Sequence, residues 1–481
     1  MSEKRKGTIV IGAKEYSIVR LIAAGAAVAA GVIVSQLPEP DVLDQSAMNY
    51  LGVFVAFIIL MFLRIMSEST WALLMLCCFV LFGAISFNES FAAFGTSTIW
   101  IMVCASGVGY VASKTGLLRR IAFHVLKLFP QNYKGQVMAL MAAGTVVEPL
   151  IPSIVGKVVI MAPLSVAITK DLKLKKGSRG AAGLFNAMWI SSGVIGHGFM
   201  NGSAVSFAIL SLLGDRASDF SWGSWLLATS PWLICVLVLS YIGILLLYRP
   251  KGEEANVCGS DFAREMLKSM GPMNRDEKVV SFIMAFMLLG FVTSSLHGID
   301  VAVIAGISLS VAMLLGEFSV SDLRSGIPWE TIILNASVIT LANALTALNI
   351  DDWITQVLSP IMEPVVGNVY LFITALCIIT YVLRTFIMSP VSTMTMCYFI
   401  FAPSAMAAGI HPWVLMFVVA SAGSLWTLPF QHNVYVACLG ATNGETVEHW
   451  DVYQMSLVYM VICWAAMLLS IPVWRWMGFV A

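Results

Sequence analysis

Charge is what this sequence has least of. Of its 481 residues 27 are basic and 27 acidic, together 11%, less than half of the roughly 25% usual in a soluble domain. A chain this poor in solvating groups cannot clothe the soluble domains that its length would otherwise suggest. That excludes a soluble enzyme and a disordered adaptor. The two signs balance, so no basic surface recruits a nucleic acid partner. Cys-x-x-Cys is absent too. Cys77, Cys78, Cys104, Cys235, Cys377, Cys397, Cys438 and Cys463 sit in apolar runs, and only Cys258 lies in a polar loop. They read as small buried hydrophobes rather than as disulfides or metal ligands. No small-residue cleavage site follows the first apolar segment. Met1 to Lys14 is therefore expected to be a cytoplasmic leader to an uncleaved span. What remains is 59% hydrophobic residues, 14 Trp, 26 Phe and a mean hydropathy of +0.87. The expected fold is an all-α polytopic membrane protein whose main solvent is the lipid bilayer.

A helix crosses the hydrocarbon core in about 20 apolar residues. On that measure clear spans lie near 17–36, 47–64, 70–87, 97–113, 224–248, 279–295, 299–316, 329–348 and 453–475. Three apolar stretches, 135–213, 360–408 and 412–440, are interrupted by Pro, Gly, Ser and Asn. Interrupted backbone at membrane depth must be buried in protein or line a cavity. Basic residues cluster at Lys4–Lys6, Lys114–Lys134, Lys170–Arg179 and Arg249–Lys278, and the positive-inside rule puts all four in the cytoplasm. Residues 135–168 must then enter and leave on one side, as a re-entrant hairpin with its tip near Pro149–Gly156. Residues 360–408 form a second hairpin, entering from outside. The expectation is about eleven transmembrane helices plus two hairpins, in the inner membrane, with the amino terminus cytoplasmic.

The two hairpins are alike. Pro152–Ile168 (PSIVGKVVIMAPLSVAI) and Val391–Ala407 (VSTMTMCYFIFAPSAMA) each run from a polar tip to an apolar helix, with Ala-Pro at the same distance to within one residue. Each is followed by an interrupted span, SSGVIGHGFMNGSA from Ser191 and SAGSLWTLPFQHN from Ser421. Opening from opposite sides, they make an inverted repeat. Inverted repeats built on broken helices mark secondary transporters, with the substrate held at the midplane. Small-residue breaks that merely permit close helix packing are the plainer alternative.

At this point a resemblance becomes specific. Phe94–Leu126 (FGTSTIWIMVCASGVGYVASKTGLLRRIAFHVL) is similar to the segment preceding the first hairpin in the divalent anion/sodium symporter family, carriers of dicarboxylates, citrate and sulfate. Both hairpins, both broken spans and Pro328-Trp329 extend the resemblance over most of the chain. It implies a homodimer in which a transport domain moves as an elevator against a static scaffold. On that pattern 1–134 are first-repeat scaffold helices and a linker helix, and 135–223 are the first hairpin and broken helix. Residues 224–278 are a connecting helix and cytoplasmic loop, and 279–359 the second scaffold set. The second hairpin and broken helix are 360–452, and 453–481 the last span.

The departures from the family carry as much information. Its Ser-Asn-Thr tips supply oxygens and amides to substrate and sodium. Aligned on the shared Pro, this chain has Ser153-Ile154-Val155 and Thr393-Met394-Thr395, with both Asn gone. The turns that face substrate in the family match Asn201-Gly202-Ser203 and His432-Asn433. A Gly lining the family's first sodium site aligns with Met200. That site therefore reads as lost, while Ser389, Ser392, Thr393 and Thr395 could furnish oxygens for a second one. Lys157 lies one turn beyond Ser153, where a buried ammonium costs roughly 2.5–3.5 kcal/mol. Two roles fit it: a fixed charge that replaces the first sodium and attracts the anion, or a structural pair with Glu148. Arg384 could grip a carboxylate with two bonds or pair with Asp351 or Asp352. His197 and His432 occupy corresponding broken spans and could donate to the anion or, protonated, couple transport to H⁺.

The resulting expectation is a secondary active transporter of a small organic anion, a di- or tricarboxylate or a sulfonate. The substrate residues are Ser153, Lys157, His197, Asn201, Gly202, Thr393, Thr395, His432 and Asn433, with Arg384 a further anion contact. No cofactor is expected beyond Na⁺ or H⁺ as coupling ion, and exchange remains open beside symport. Two other classes compete. A membrane-embedded hydrolase or transferase would need a base beside a Gly-flanked Ser, for which Ser203 with His197 is the candidate; the His-Glu-x-x-His of zinc proteases is missing. A channel would show linear, unsaturable flux.

Overall fold

The computed structural model describes all residues except 1–7, 12–13, 41, 64–66, 253, 255–257, 429–430, 443, 445 and 481. The first basic cluster thus lies outside the described residues. Apart from a short antiparallel β-hairpin, Thr8–Ile11 with Lys14–Ser17, the described chain is helices and their connections. That hairpin is a small departure from the all-α expectation, built from the β-branched and aromatic residues between the charges of the leader.

Among the described residues three single helices are long and apolar enough to cross a membrane, Trp222–Leu247, Trp329–Ala347 and His449–Trp476. Phe87–Gly95 and Ser97–Lys114 pass together as a pair bent by 41°. Any further crossing among the described residues is made by shorter or interrupted helices. The reason is visible in Pro412–Ala422, every residue of which is buried. Its 11 residues rise only about 16 Å, against a hydrocarbon core of roughly 30 Å. It is a half-span held inside protein, and the chain resumes as helix at Asn433–Ala441.

By compactness the chain forms two units. The first comprises 1–99 and 329–361. Within it Ile18–Ser35 and Gln45–Leu63 meet at glycine. A Cβ at Gly31 would lie 2.5 Å from the Gly52 carbonyl oxygen, and one at Gly52 2.5 Å from the Gly31 oxygen. Trp329–Ala347 is tied in by the Tyr50 hydroxyl, which donates to the Leu341 carbonyl (2.8 Å), and by the Thr340 hydroxyl, which donates to the Ser90 carbonyl (2.9 Å).

The second unit comprises 100–328 and 362–481 and contains both hairpins and both broken spans. The first hairpin is Tyr133–Val147, a short 3₁₀ turn at Glu148–Leu150, and Ile154–Asp171. The second is Val369–Leu383 and Pro390–Ala407. Both pairs have arms of 15 and 18 residues, related by one shift of 236 positions (133 to 369, 154 to 390). Asn132 and Asn368 cap the first arms; Ser153 and Ser389 cap the second. The Ala-Pro alignment of the sequence implied a shift of 240 (163 to 403) and was therefore one helical turn off. Pro is tolerated at several depths in a buried helix, whereas a cap fixes the start. On the corrected shift Ser153 corresponds to Ser389, and Lys157 to Thr393.

Helices Trp222–Leu247 and His449–Trp476 pack side by side in this unit, with the Trp474 indole donating to the Ala228 carbonyl at 2.8 Å. The second arm of each hairpin packs on the broken span of the other repeat: Ile154–Asp171 on Asn433–Ala441, and Pro390–Ala407 on Ala204–Leu213. Replacing Gly52 with Leu should destabilise the first unit by about 1–3 kcal/mol, the usual range for overpacking. It should be read as a lower midpoint of thermal unfolding in detergent. An unchanged midpoint would contradict the glycine contact.

Candidate functional site

Helix Tyr133–Val147 stops at Glu148-Pro149, and Ser153 restarts it by accepting from the Gly156 amide (3.2 Å). Glu148 and Lys157 are both fully buried and pair directly. The Lys157 ammonium also donates to the Gly202 carbonyl at 2.5 Å. Gly196 makes this possible: a Cβ there would lie 2.8 Å from the Glu148 carboxylate and 3.2 Å from the Lys157 nitrogen. Of the two roles open for Lys157, the Glu148 pairing is present in the structure. The second carboxylate oxygen of Glu148 is buried, with no hydrogen-bond partner among the described residues.

Gly202 lies in the break of the first broken span. Helix Arg179–Trp189 widens to a π turn at Ile190–Val194, tightens to 3₁₀ at Ile195–Gly198, then unwinds until Ala204–Leu213. π turns interrupt the regular hydrogen-bond ladder and frequently sit at functional sites. Asn201 is held on both sides of its amide, donating to the Pro149 carbonyl (2.8 Å) and accepting from the Trp222 indole (2.9 Å). Ser203 caps Ala204–Leu213 through the Ser206 amide (3.2 Å). Its hydroxyl lies 3.2 Å from that of Ser206. His197 instead faces the Ser421 hydroxyl at 2.7 Å. The arrangement a serine hydrolase would need at Ser203 is thus not the one formed.

The second hairpin turns at Arg384, the position 236 after Glu148. Arg384 is fully buried. Its guanidinium donates to the carbonyls of Gly423 (2.7 Å), Ile387 (2.6 Å) and Gln431 (2.5 Å). Within its own unit the guanidinium is set on backbone carbonyls. Ser389 accepts from the Ser392 amide (3.3 Å). One turn inside the helix, the Thr393 and Thr395 hydroxyls donate to the Ser389 and Val391 carbonyls (3.1 and 2.9 Å). The Ser392 hydroxyl is buried, with no hydrogen-bond partner among the described residues.

The histidines join the two repeats. His197, from the first broken span, reaches Ser421 of the second, and its ring lies against Trp232 and Phe417 (4.9 and 5.6 Å). His432, from the second, packs edge-on against Trp189 of the first (5.2 Å). Its Nδ1 is buried without a hydrogen-bond partner among the described residues. The Asn433 side chain lies outside the described ones. The structure therefore brings Lys157, Gly202 and Asn201 together with Glu148 and Pro149, and sets Arg384 on Gln431 beside His432. Sequence reading gave Gly196, Ser421 and Trp189 no role; a Gly and a Trp flanking an interrupted span were the available signals.

A buried pair broken on one side leaves an uncompensated charge, which costs about 3–5 kcal/mol. Lys157→Met alone should lower thermal stability by that order, and Glu148→Gln with Lys157→Met should recover most of it. Equal stability of the single and double variants would contradict the pairing.

Comparison with known proteins fits this architecture. The family model described as the sodium:sulfate symporter transmembrane region matches residues 18–480. The putative malate transporter YflS of Bacillus subtilis is 27% identical over 354 residues, 72% of this chain and 73% of that one. The chloroplastic dicarboxylate transporter 1 of Arabidopsis thaliana is 24% identical over 343 residues, 69% of this chain and 60% of that one. Among solved structures, the YdaH transporter of Alcanivorax borkumensis aligns over 96% of this chain and 98% of its own, with a TM-score of 0.55 at 14% identity, a likeness of fold. Hairpins, broken spans and the match over nearly the whole length converge: the chain is a multi-pass helical membrane protein, a transporter and not an enzyme, and it belongs to the sodium:sulfate symporter transmembrane-region family.

Proposed function

We propose that the protein is a secondary active carrier of small dicarboxylates, in the inner membrane with its amino terminus cytoplasmic. The observation that carries this reading is the pair of matched hairpins, each packed on the broken span of the other repeat. Second arms and resumed half-helices begin at Ile154, Ala204, Pro390 and Asn433. Helix N-termini carry partial positive charge and unbonded amides, which suit an anion. Half-helix N-termini at broken spans are how transporters of this kind hold a substrate carboxylate. Ser153, Lys157, His197, Asn201, Gly202, Thr393, Thr395 and His432 line or support the breaks in this reading, and Asn433 joins them on the sequence alone. In this reading Lys157, already compensated by Glu148, takes the first sodium position and braces the Gly202 backbone against the anion.

Malate and other dicarboxylates are favoured over sulfate because the similar proteins above carry the names putative malate transporter and dicarboxylate transporter. Transport is by an elevator movement of the hairpins and broken spans in a homodimer. In proteoliposomes, labelled malate uptake should saturate and be competed by succinate and fumarate more strongly than by sulfate. Lys157→Ala should abolish it. Linear flux would favour a channel, and uptake unaffected by Lys157→Ala would remove that residue from the site.

A further inference from the structure

Helix His449–Trp476 follows the second broken span, and its first residue reaches back into the break. We propose that His449 is a positioning residue of the carrier. Its imidazole clamps the two ends of the turn that contains Gln431, His432 and Asn433, and so sets the start of the half-helix Asn433–Ala441 against the anion. The inference rests on the carrier reading above.

A break in a span leaves backbone groups to be satisfied on both of its sides. On the near side the Thr427 carbonyl lies 3.2 Å from His449 Nε2; on the far side the Tyr435 hydroxyl lies 3.0 Å from His449 Nδ1. A carbonyl can only accept, so Nε2 carries the hydrogen, and the neutral ring accepts at Nδ1 from the tyrosine. Each end of the turn thus holds one ring nitrogen. His449 and Tyr435 are both buried, and a buried group left without its bond is costly. Two turns along the same helix face, Ser456 accepts from the Trp426 amide (3.0 Å), and its hydroxyl lies 2.9 Å from that of Thr427. Within the turn, the Gln431 side chain accepts from the Leu428 amide at 2.8 Å. One helix therefore holds the break at two levels, and His449 joins its two sides.

Packing is the plainer role. The His449 ring lies edge-on to Tyr435 (5.8 Å) and to Trp450 (5.0 Å). A phenyl ring could fill that space, but it could not supply a donor at one edge and an acceptor at another. That difference separates a packing residue from a positioning one.

The test uses the full-length protein as wild type, His449→Phe, His449→Gln and Tyr435→Phe. Labelled malate uptake is measured against malate concentration in proteoliposomes. Hydrogen–deuterium exchange over residues 424–441 is measured in detergent without substrate. His449→Phe keeps the ring packing and removes both bonds. Its half-saturating concentration is expected to rise about tenfold, the order expected when a buried carbonyl loses its donor, with faster exchange over 424–441. His449→Gln, whose amide can donate and accept, is expected to stay close to wild type in both. Tyr435→Phe removes the Nδ1 bond alone and is expected to give part of the same rise; it decides the matter should His449→Phe not fold. Unchanged half-saturation in His449→Phe, with or without a lower maximal rate, would overturn the proposal. So would His449→Gln as impaired as His449→Phe, or Tyr435→Phe with wild-type half-saturation. If wild type carried no malate at all, the carrier reading would fail, while exchange over 424–441 in the variants would still decide whether His449 holds the turn.

Discussion

A helix interrupted at membrane depth exposes carbonyls that neither lipid nor the helix itself can satisfy, and an unpaired group there costs several kcal/mol. The broken spans of this protein depend on how that demand is met. At the first break the Gly202 carbonyl accepts from Lys157; at the second, Gly423 and Gln431 accept from Arg384. Arg384 sits at a hairpin turn, and Lys157 in the first helical turn after one. The contact that repairs each break therefore also fastens a hairpin to the span that follows it. An ammonium or guanidinium suits this task because a charge-assisted bond to a carbonyl is roughly twice as strong as a neutral one.

The two solutions differ in how the charge is tolerated. Lys157 has a carboxylate in Glu148, and Gly196 leaves the room that this pair occupies. Arg384 donates to the carbonyls of Gly423, Ile387 and Gln431, for which a planar, rigid donor set is suited. Repeat-equivalent positions thus hold an acid in one half and a base in the other. The two histidines then cross between repeats, His197 to Ser421 and His432 to Trp189. The second arms of the hairpins cross as well, each packing on the half-helix of the other repeat.

Much of this was legible in the sequence. Scarce charge and the interrupted apolar stretches gave a polytopic helical protein with hairpins near 135–168 and 360–408; the structure has helix pairs at Tyr133–Val147 with Ile154–Asp171 and at Val369–Leu383 with Pro390–Ala407, and gives 360–366 to the preceding helix. Lys157 and Glu148 were visible as a possible pair because an ionisable residue inside an apolar run requires a partner. The register of the repeat was not legible. Pro163 and Pro403 look equivalent, but the caps Ser153 and Ser389 show the true correspondence, one turn away. The role of Arg384 was hidden for a different reason. It donates to the carbonyls of Gly423, Ile387 and Gln431, and a backbone carbonyl is a group that every residue has and no sequence pattern marks. Ser421 was hidden likewise: a hydroxyl reaching across to His197 has no spacing signature when 224 residues separate them.

The central claim is that the matched hairpins and broken spans form one carrier site for a small dicarboxylate. Counterflow in proteoliposomes tests it most directly. Labelled malate uptake would be followed against malate concentration, with and without internal malate. The account predicts saturable uptake that internal malate stimulates. Linear flux that internal malate leaves unchanged would contradict it.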